Sequence, residues 1–345
     1  MSGSKVHSKL LGAEDCVLWD EAVEGAGRGT LFHQALWLKS FDRPMAVIGC
    51  YNDAGTLVGG MPLSYQRMAG LTIARPPYLT PYLGPVVFAA EGQYHRVLTL
   101  EKDVAAAVID CVQSFCDFAR IPLAPGDMDT QPFKQRGFSV DVEHTYVVEL
   151  GDMDQVWKGL NQDRRRKIKK GYEEGLTCEL SDDLDRFFPL LAHSLITHGK
   201  RLSQGRVEEV RRWYEPLRAK NRARMLQIRD SCGRLCTAAI LVWDSKRGYY
   251  LLSGMDRDIS SPNAMALLIW ECMRFCHEEV RASEFDFDGS EVPSVEIFFR
   301  GFGGRLTPRF SVTWGRSYVG PVRLAWKSLA AIRGLKAHTR SQARV

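Results

Sequence analysis

No two cysteines in this 345-residue chain form a CxxC pair, although there are 9 of them. The closest spacings are Cys232/Cys236 and Cys272/Cys276, so scattered reduced thiols are expected rather than a disulfide framework or a zinc site. No apolar run approaches the roughly 18 residues of a membrane span. Residues 1–16, MSGSKVHSKLLGAEDC, lack the apolar core of a secretory signal, so a cytoplasmic protein is expected. There is no P-loop and no Ser-His-Asp signature. Neither sign of charge dominates: a net charge of +5 and a pI near 8.7 permit anionic ligands without demanding them. Hydrophobic content of 45% and charged content of 25% are those of an ordinary globular protein. The length favours two domains over one core.

The stretch 283–314 organises what is present. Glu284-Phe285-Asp286-Phe287-Asp288 alternates strictly, so its phenylalanines share one strand face and its carboxylates the other. Such an acidic face belongs at a strand end, in a cleft or in water. Gly289-Ser290 breaks the strand, and Pro293 suits a first helical turn. Val295, Phe298, Phe299 and Phe302 recur at helical spacing, and Gly301, Gly303 and Gly304 end that helix. Phe310, Val312 and Trp314 line a following strand.

Upstream, residues 224–229, 234–243 and 248–254 read as a three-strand meander, followed by a long helix from 261 to about 279. Residues 1–30 show little periodicity. A hairpin is expected over 45–51 and 56–65, then an extended piece at 71–75, a helix at 103–119, a short helix at 131–136 and a strand at 144–150. Residues 75–85 are too Pro-rich for a central strand and read as an ordered loop. Helices are expected over 156–174, 185–195 and 206–219. Both halves thus run strand, strand, strand, helix, strand, short helix, strand. Arg136-Gly137-Phe138 echoes Arg300-Gly301-Phe302. An internal duplication is expected, with domains at 1–150 and 151–320 and a basic tail at 321–345.

This order resembles the GNAT acyltransferase fold, and two copies in tandem resemble the FemAB group and the GNAT-type proteins of exopolysaccharide biosynthesis. The residues that carry the resemblance are 57–63 (LVGGMPL), 80–85 (TPYLGP), 164–171 (RRRKIKKG), 285–290 (FDFDGS) and 298–302 (FFRGF). The fold class it implies is α/β (α+β), with two GNAT-like domains, each a mixed, mostly antiparallel sheet flanked by helices. The activity implied is transfer of an acyl group from acyl-CoA (acetyl-CoA) to an amine on a cell-envelope glycan or its precursor, without a metal. The alternative is the FemAB donor, aminoacyl-tRNA. A polysaccharide- or nucleotide-binding scaffold on the same fold and an RNA-binding protein stand as rivals.

The resemblance places the donor beside the strand holding Ser253, Gly254 and Met255, and its phosphates at the turn 257–263 (RDISSPN), where Arg257 and Asn263 are candidates. That turn has no glycine, a departure from the CoA-binding pattern. Asp288 and Asp286 are the candidate base or acceptor anchors, because two close carboxylates raise one another's pKa; Arg300, Arg305 or Arg309 could instead pair with them. Arg300 is a candidate for the donor's ester and phosphate. Arg164, Arg165 and Lys167 are candidate anion ligands on a basic helix, against the reading of a solvated face. Phe299 is placed to stack on a base or fill the core, and Tyr82 to line an acceptor groove or pack under its loop. No tyrosine occurs between Tyr250 and Tyr318, which leaves the general acid unassigned. His193 and His198 read as structural. The basic tail, with Ala325, Leu329 and Ile332 in an apolar stripe, would meet a membrane surface or stay in solvent.

Overall fold

The same series of elements occurs twice in the computed structural model, which describes residues 6–12, 14–88, 92–126, 129–197, 199–256, 258, 261–289 and 293–319. The first passage opens with β1 (His7–Leu10), α1 (Asp15–Gly25) and α2 (Ala35–Lys39). It continues with β2 (Met45–Tyr51), β3 (Leu57–Met68), β4 (Leu71–Ala74), β5 (Val86–Val87), α3 (Tyr94–Phe115), β6 (Phe118–Pro122), α4 (Gln131–Gln135) and β7 (Ser139–Glu149). The second opens with α5 (Met153–Gly159), α6 (Gln162–Glu173), β8 (Thr177–Ser181), α7 (Leu184–Thr197) and α8 (Gln204–Ala219). It continues with β9 (Ala223–Arg229), β10 (Leu235–Trp243), β11 (Arg247–Met255), α9 (Ala264–Phe275), β12 (Glu284–Asp286), α10 (Pro293–Arg300) and β13 (Arg305–Gly315).

Each passage places its first helical crossover between parallel strands. Helix α3 joins β4 to β6, paired parallel at Ile73↔Phe118 and Ala74↔Ala119. Helix α9 joins β11 to β12, paired parallel from Arg247↔Glu284 to Tyr249↔Asp286. The other pairings flanking these strands are antiparallel, so the sheet is mixed and mostly antiparallel, as tandem GNAT-like domains require.

Two compact units result. The first gathers residues up to Glu143 with those from Pro308; the second gathers His144–Thr307. The crossings fall inside β7 and β13. In the first unit β13 supplies the antiparallel partner of β6, from Ser311↔Pro122 to Gly315↔Phe118. In the second unit β7 pairs with β12 at Glu284↔Glu149, Phe285↔Val148 and Asp286↔Val147.

The first unit's core is built on Trp19, Phe32, Trp37 and Tyr82, all fully buried. The Pro-rich loop belongs to it: the Trp37 indole donates to Thr80 at 2.8 Å, and Tyr82 lies edge-on to Phe32. The second unit's core joins Phe285, Phe287, Phe299 and Phe302 to Tyr146, Tyr250 and the apolar face of α9. Phe285 and Phe287 face inward, as the alternation predicts.

Several elements differ from expectation. The helix at 156–174 is two helices, because Asn161 breaks it and caps α6, its side chain accepting from the Arg164 N–H at 2.8 Å. The long helix ends at Phe275 in a π-turn over Cys276–Val280, closed by Arg281 at φ 60°. Strands β1 and β8 and helix α1 lie where no element was expected. No helix among the described residues is long and apolar enough to cross a membrane. The basic tail and its proposed membrane contact lie outside the described residues.

Candidate functional site

The site in the second unit follows from a divergence of two strands. The parallel register of β11 and β12 stops at Tyr249↔Asp286. Beyond it β11 stays with β10 as far as Thr237↔Met255, while the Phe287 N–H turns to the Tyr146 carbonyl of β7, at 3.1 Å. The split opens a pocket of about 160 Å³ lined by Tyr250, Ser253, Phe287, Asp288, Val295 and Phe299 among others. Val295 and Phe299 belong to α10, which covers it. Crossover connections between parallel strands leave ligand crevices at the strands' carboxyl ends, where this pocket lies.

Asp288 stands at the rim in a left-handed conformation, φ 57°, and Gly289 follows at φ 70°. A Cβ on Gly289 would meet the His144 carbonyl oxygen at 2.2 Å, so the turn closes against β7 and needs glycine there. The Asp288 N–H donates to Asp286 Oδ1 at 2.9 Å, which fixes the turn.

Asp286 itself is fully buried, and its place is structural. Oδ1 accepts from the Thr145 hydroxyl at 2.6 Å, and Oδ2 lies 3.4 Å from Arg247. Arg247 also binds Glu284 through Nε at 2.8 Å and Nη2 at 2.5 Å. Burial pushes the Glu284 carboxyl up, but Arg247 and Lys246 outweigh it and hold it below its ordinary range. The acidic face therefore divides: Glu284 and Asp286 pair with Arg247, and Asp288 lines the pocket. Arg309 instead pairs with Glu143 at 3.0 Å and lies over Tyr82 in the first unit.

The other candidates separate by location. Ser253 and Phe299 line the pocket. Gly254 and Met255 meet α7 instead: a Cβ on Gly254 would lie 2.3 Å from the Leu191 nitrogen, and the Met255 N–H donates to the Ser194 hydroxyl at 2.9 Å. Arg164 is buried beneath the end of α10, 4.2 Å from the Phe298 ring centroid and 3.3 Å from the Phe298 carbonyl. Lys167 and Arg166 share Asp163 with Arg164, and Arg165 donates to the Lys158 carbonyl at 3.4 Å. Arg300 is exposed, with its Nε 3.7 Å from Glu296. Tyr82 is core. Arg257 and His198 lie outside the described residues.

Tyr146 and Tyr250 were not singled out. The Tyr250 hydroxyl, on the pocket wall, points to the Met265 sulfur at 3.4 Å, and burial pushes its pKa up. The Tyr146 hydroxyl donates to Glu296 at 2.5 Å, and that bond raises its pKa. The sequence order around 283–314 gives no sign of Tyr146, which arrives from β7.

Of the candidate phosphate turn 257–263, the structure describes 258 and 261–263. At the start of α9 the Ser261 hydroxyl donates to Glu174 Oε2 at 2.5 Å, and the Asn263 amide donates to Oε1 at 2.7 Å. Asp256 and Asp258 add two carboxylates to the turn. With His193 they form the one group among the described residues with three potential metal-ligating atoms within 4.8 Å of one another.

The comparisons agree with the geometry. Residues 160–293 match the family described as Acetyltransferase (GNAT) domain. FemX superposes with a TM-score of 0.66 at 14% identity, covering 88% of this chain and 96% of FemX. A C-terminal domain named for a lysylphosphatidylglycerol synthetase of Agrobacterium fabrum gives 0.57 at 13%, covering 92% and 97%. A tandem GNAT protein from the clavulanic acid biosynthesis pathway gives 0.52 at 13%, covering 90% and 98%. No curated protein matches the chain in sequence. Residues 160–293 match a GNAT domain, and the described residues share the fold of tandem GNAT proteins.

Proposed function

We propose that the chain transfers an aminoacyl group from an ester donor, aminoacyl-tRNA, to an amine on a cell-envelope glycan or precursor. The observation that carries this reading is the split between β11 and β12, with Asp288 at the rim of the pocket it opens. Tyr250, Phe287 and Phe299 give an acyl group aromatic surfaces to lie against, beside the Asp288 carboxylate. The acceptor nitrogen adds to the ester carbonyl and the carbonyl–oxygen bond to the donor breaks. Asp288 takes the proton from nitrogen and returns it to the departing hydroxyl. Holding both partners at this split supplies much of the rate.

Acyl-CoA is the second choice of donor, because the segment 257–263 has no glycine, a departure from the CoA-binding pattern. The likeness to FemX, and to a domain whose name makes its product an aminoacylated lipid, favours the ester. The test is turnover with labelled aminoacyl-tRNA against labelled acetyl-CoA, each with amino-sugar and peptidoglycan-precursor acceptors. Asp288→Asn is expected to lower transfer about a hundredfold or more with the fold intact. Equal turnover in the variant would overturn the role of Asp288.

A further inference from the structure

We infer that Tyr146 is a positioning residue of this site: its hydroxyl ties α10 to β7 through Glu296 and so fixes where Val295 and Phe299 stand against the pocket. The tie is read from geometry alone; its effect on turnover rests on the transferase reading. Helix α10 has 8 residues, fewer than the roughly 12–15 below which an isolated helix is marginal in water, so its neighbours must hold it. Val295 and Phe299 lie four residues apart on one face of α10, and both line the pocket. Glu296 follows Val295, about 100° further round the helix, and its carboxylate meets β7.

Tyr146 is the residue of β7 that meets the split. Its carbonyl accepts from the Phe287 N–H at 3.1 Å, one residue before Asp288, and its hydroxyl donates to Glu296 Oε1 at 2.5 Å. One residue thus joins the strand end to the helix that covers it, and a bond to a carboxylate is stronger than a neutral one. The Tyr146 side chain belongs to the second unit's core, and Gly304 leaves room for it, since a Cβ there would lie 3.1 Å from the Tyr146 Cβ. The bond to Glu296 and then burial push the phenol pKa up, so Tyr146 stays a neutral donor. Among the described residues, the other polar contacts that reach α10 from outside fall at its far end. Arg164 Nε donates to the Phe298 carbonyl at 3.3 Å, and the Asn161 N–H donates to the Gly301 carbonyl at 2.9 Å just beyond it. Arg300, 3.7 Å from the Glu296 carboxylate, is on α10 itself. Without the Tyr146 bond, the turn that carries Val295 is left to its apolar packing.

The experiment compares the full native chain with Tyr146→Phe, Glu296→Ala, Glu296→Gln and the double variant Tyr146→Phe/Glu296→Ala. Tyr146→Phe keeps the ring in the core and removes only the hydroxyl. Amide hydrogen exchange is read over 297–300, with β11 as the internal standard. Tyr146→Phe and Glu296→Ala are each expected to speed exchange of those amides about tenfold, and the double variant no further, because both lose the same bond. Glu296→Gln, whose amide oxygen still accepts, should recover most of the protection. In transfer assays Tyr146→Phe and Glu296→Ala should each lower kcat about tenfold, with the donor KM within about twofold, since the acyl group is bound but held out of line. Unchanged exchange in Tyr146→Phe, additive effects in the double variant, or equal loosening of β11 would overturn the inference. The two readings fail separately. If the native protein transfers no aminoacyl group while Tyr146→Phe loosens α10, the tie stands and the transferase reading falls. If the native protein transfers and Tyr146→Phe does so at the native kcat, the positioning role falls and the transferase reading stands.

Discussion

Arg247 decides the fate of the acidic strand. It is nearly buried and binds Glu284 and the fully buried Asp286 together, a pair of charges removed from water and compensated by one guanidinium. Removing one partner of such a group leaves an uncompensated buried charge, so Arg247→Met is expected to cost about 3–5 kcal/mol in urea unfolding at pH 7. The pH dependence follows from Glu284. Its folded pKa is depressed, so its contribution is fully present above its unfolded value of about 4.3 and is lost as pH falls through the folded value. Stability of the native protein should therefore fall on acidification through that window. In Arg247→Met only Lys246, 3.4 Å away, still favours the Glu284 carboxylate, so the part of the slope owed to Glu284 should change, and a slope identical in both proteins would show that the pair is not formed. The alternation of 284–288 announced the carboxylates but not their partner. Arg247 lies across a crossover connection, and only the parallel register Arg247↔Glu284 brings it there.

Helix α7 and strand β11 touch backbone to backbone at Gly254, which has no room for a methyl group: a Cβ would sit 2.3 Å from the Leu191 nitrogen and 2.4 Å from the Leu190 carbonyl carbon. Gly254→Ala should push α7 away from β11, break the Ser194–Met255 bond, and cost about 1–3 kcal/mol by the usual toll of overpacking. Thermal melting of the variant measures it; an unchanged midpoint would mean that α7 is not seated there. At this scale periodicity carried most of the fold. The EFDFD alternation, the amphipathic α3 and the repeated element order were all legible, because each is a local pattern of burial. Strand β8 was not: its residues are all exposed or half-buried, and among the described residues it pairs with β9, so no buried apolar face marks it. The site was half legible for a similar reason. Asp288, Ser253 and Phe299 lie on the elements that form the split. Gly254, Met255 and Asn263 were named for the same strand and turn, but α7 and Glu174 reach them from segments some sixty to ninety residues earlier.

The last strand of each repeat lies in the other repeat's compact unit, and this bears on how the chain can be divided. Residues 144–149 of β7 belong to the second unit, where 147–149 pair with β12, and residues 311–315 of β13 pair with β6 in the first. A cut at 150/151, between the sequence repeats, leaves the first half without the partner of β6 and the second without the partner of β12. Each fragment then exposes an unpaired central strand edge, which draws other chains into edge-to-edge pairing. The halves expressed alone should be insoluble or lack a cooperative melt, and co-expression should restore a soluble pair with the melting behaviour of the intact chain. The contrast is the measurement: if residues 151–345 alone gave a sharp, cooperative transition, β7 would not be part of the second unit's sheet. Asp286 would then have lost the Thr145 hydroxyl that fixes it. The turn at Asp288, which closes on the His144 carbonyl, would have no wall to close against. The pocket at the split therefore depends on a strand that the sequence assigns to the first repeat, and catalysis is expected only where residues 144–149 are present.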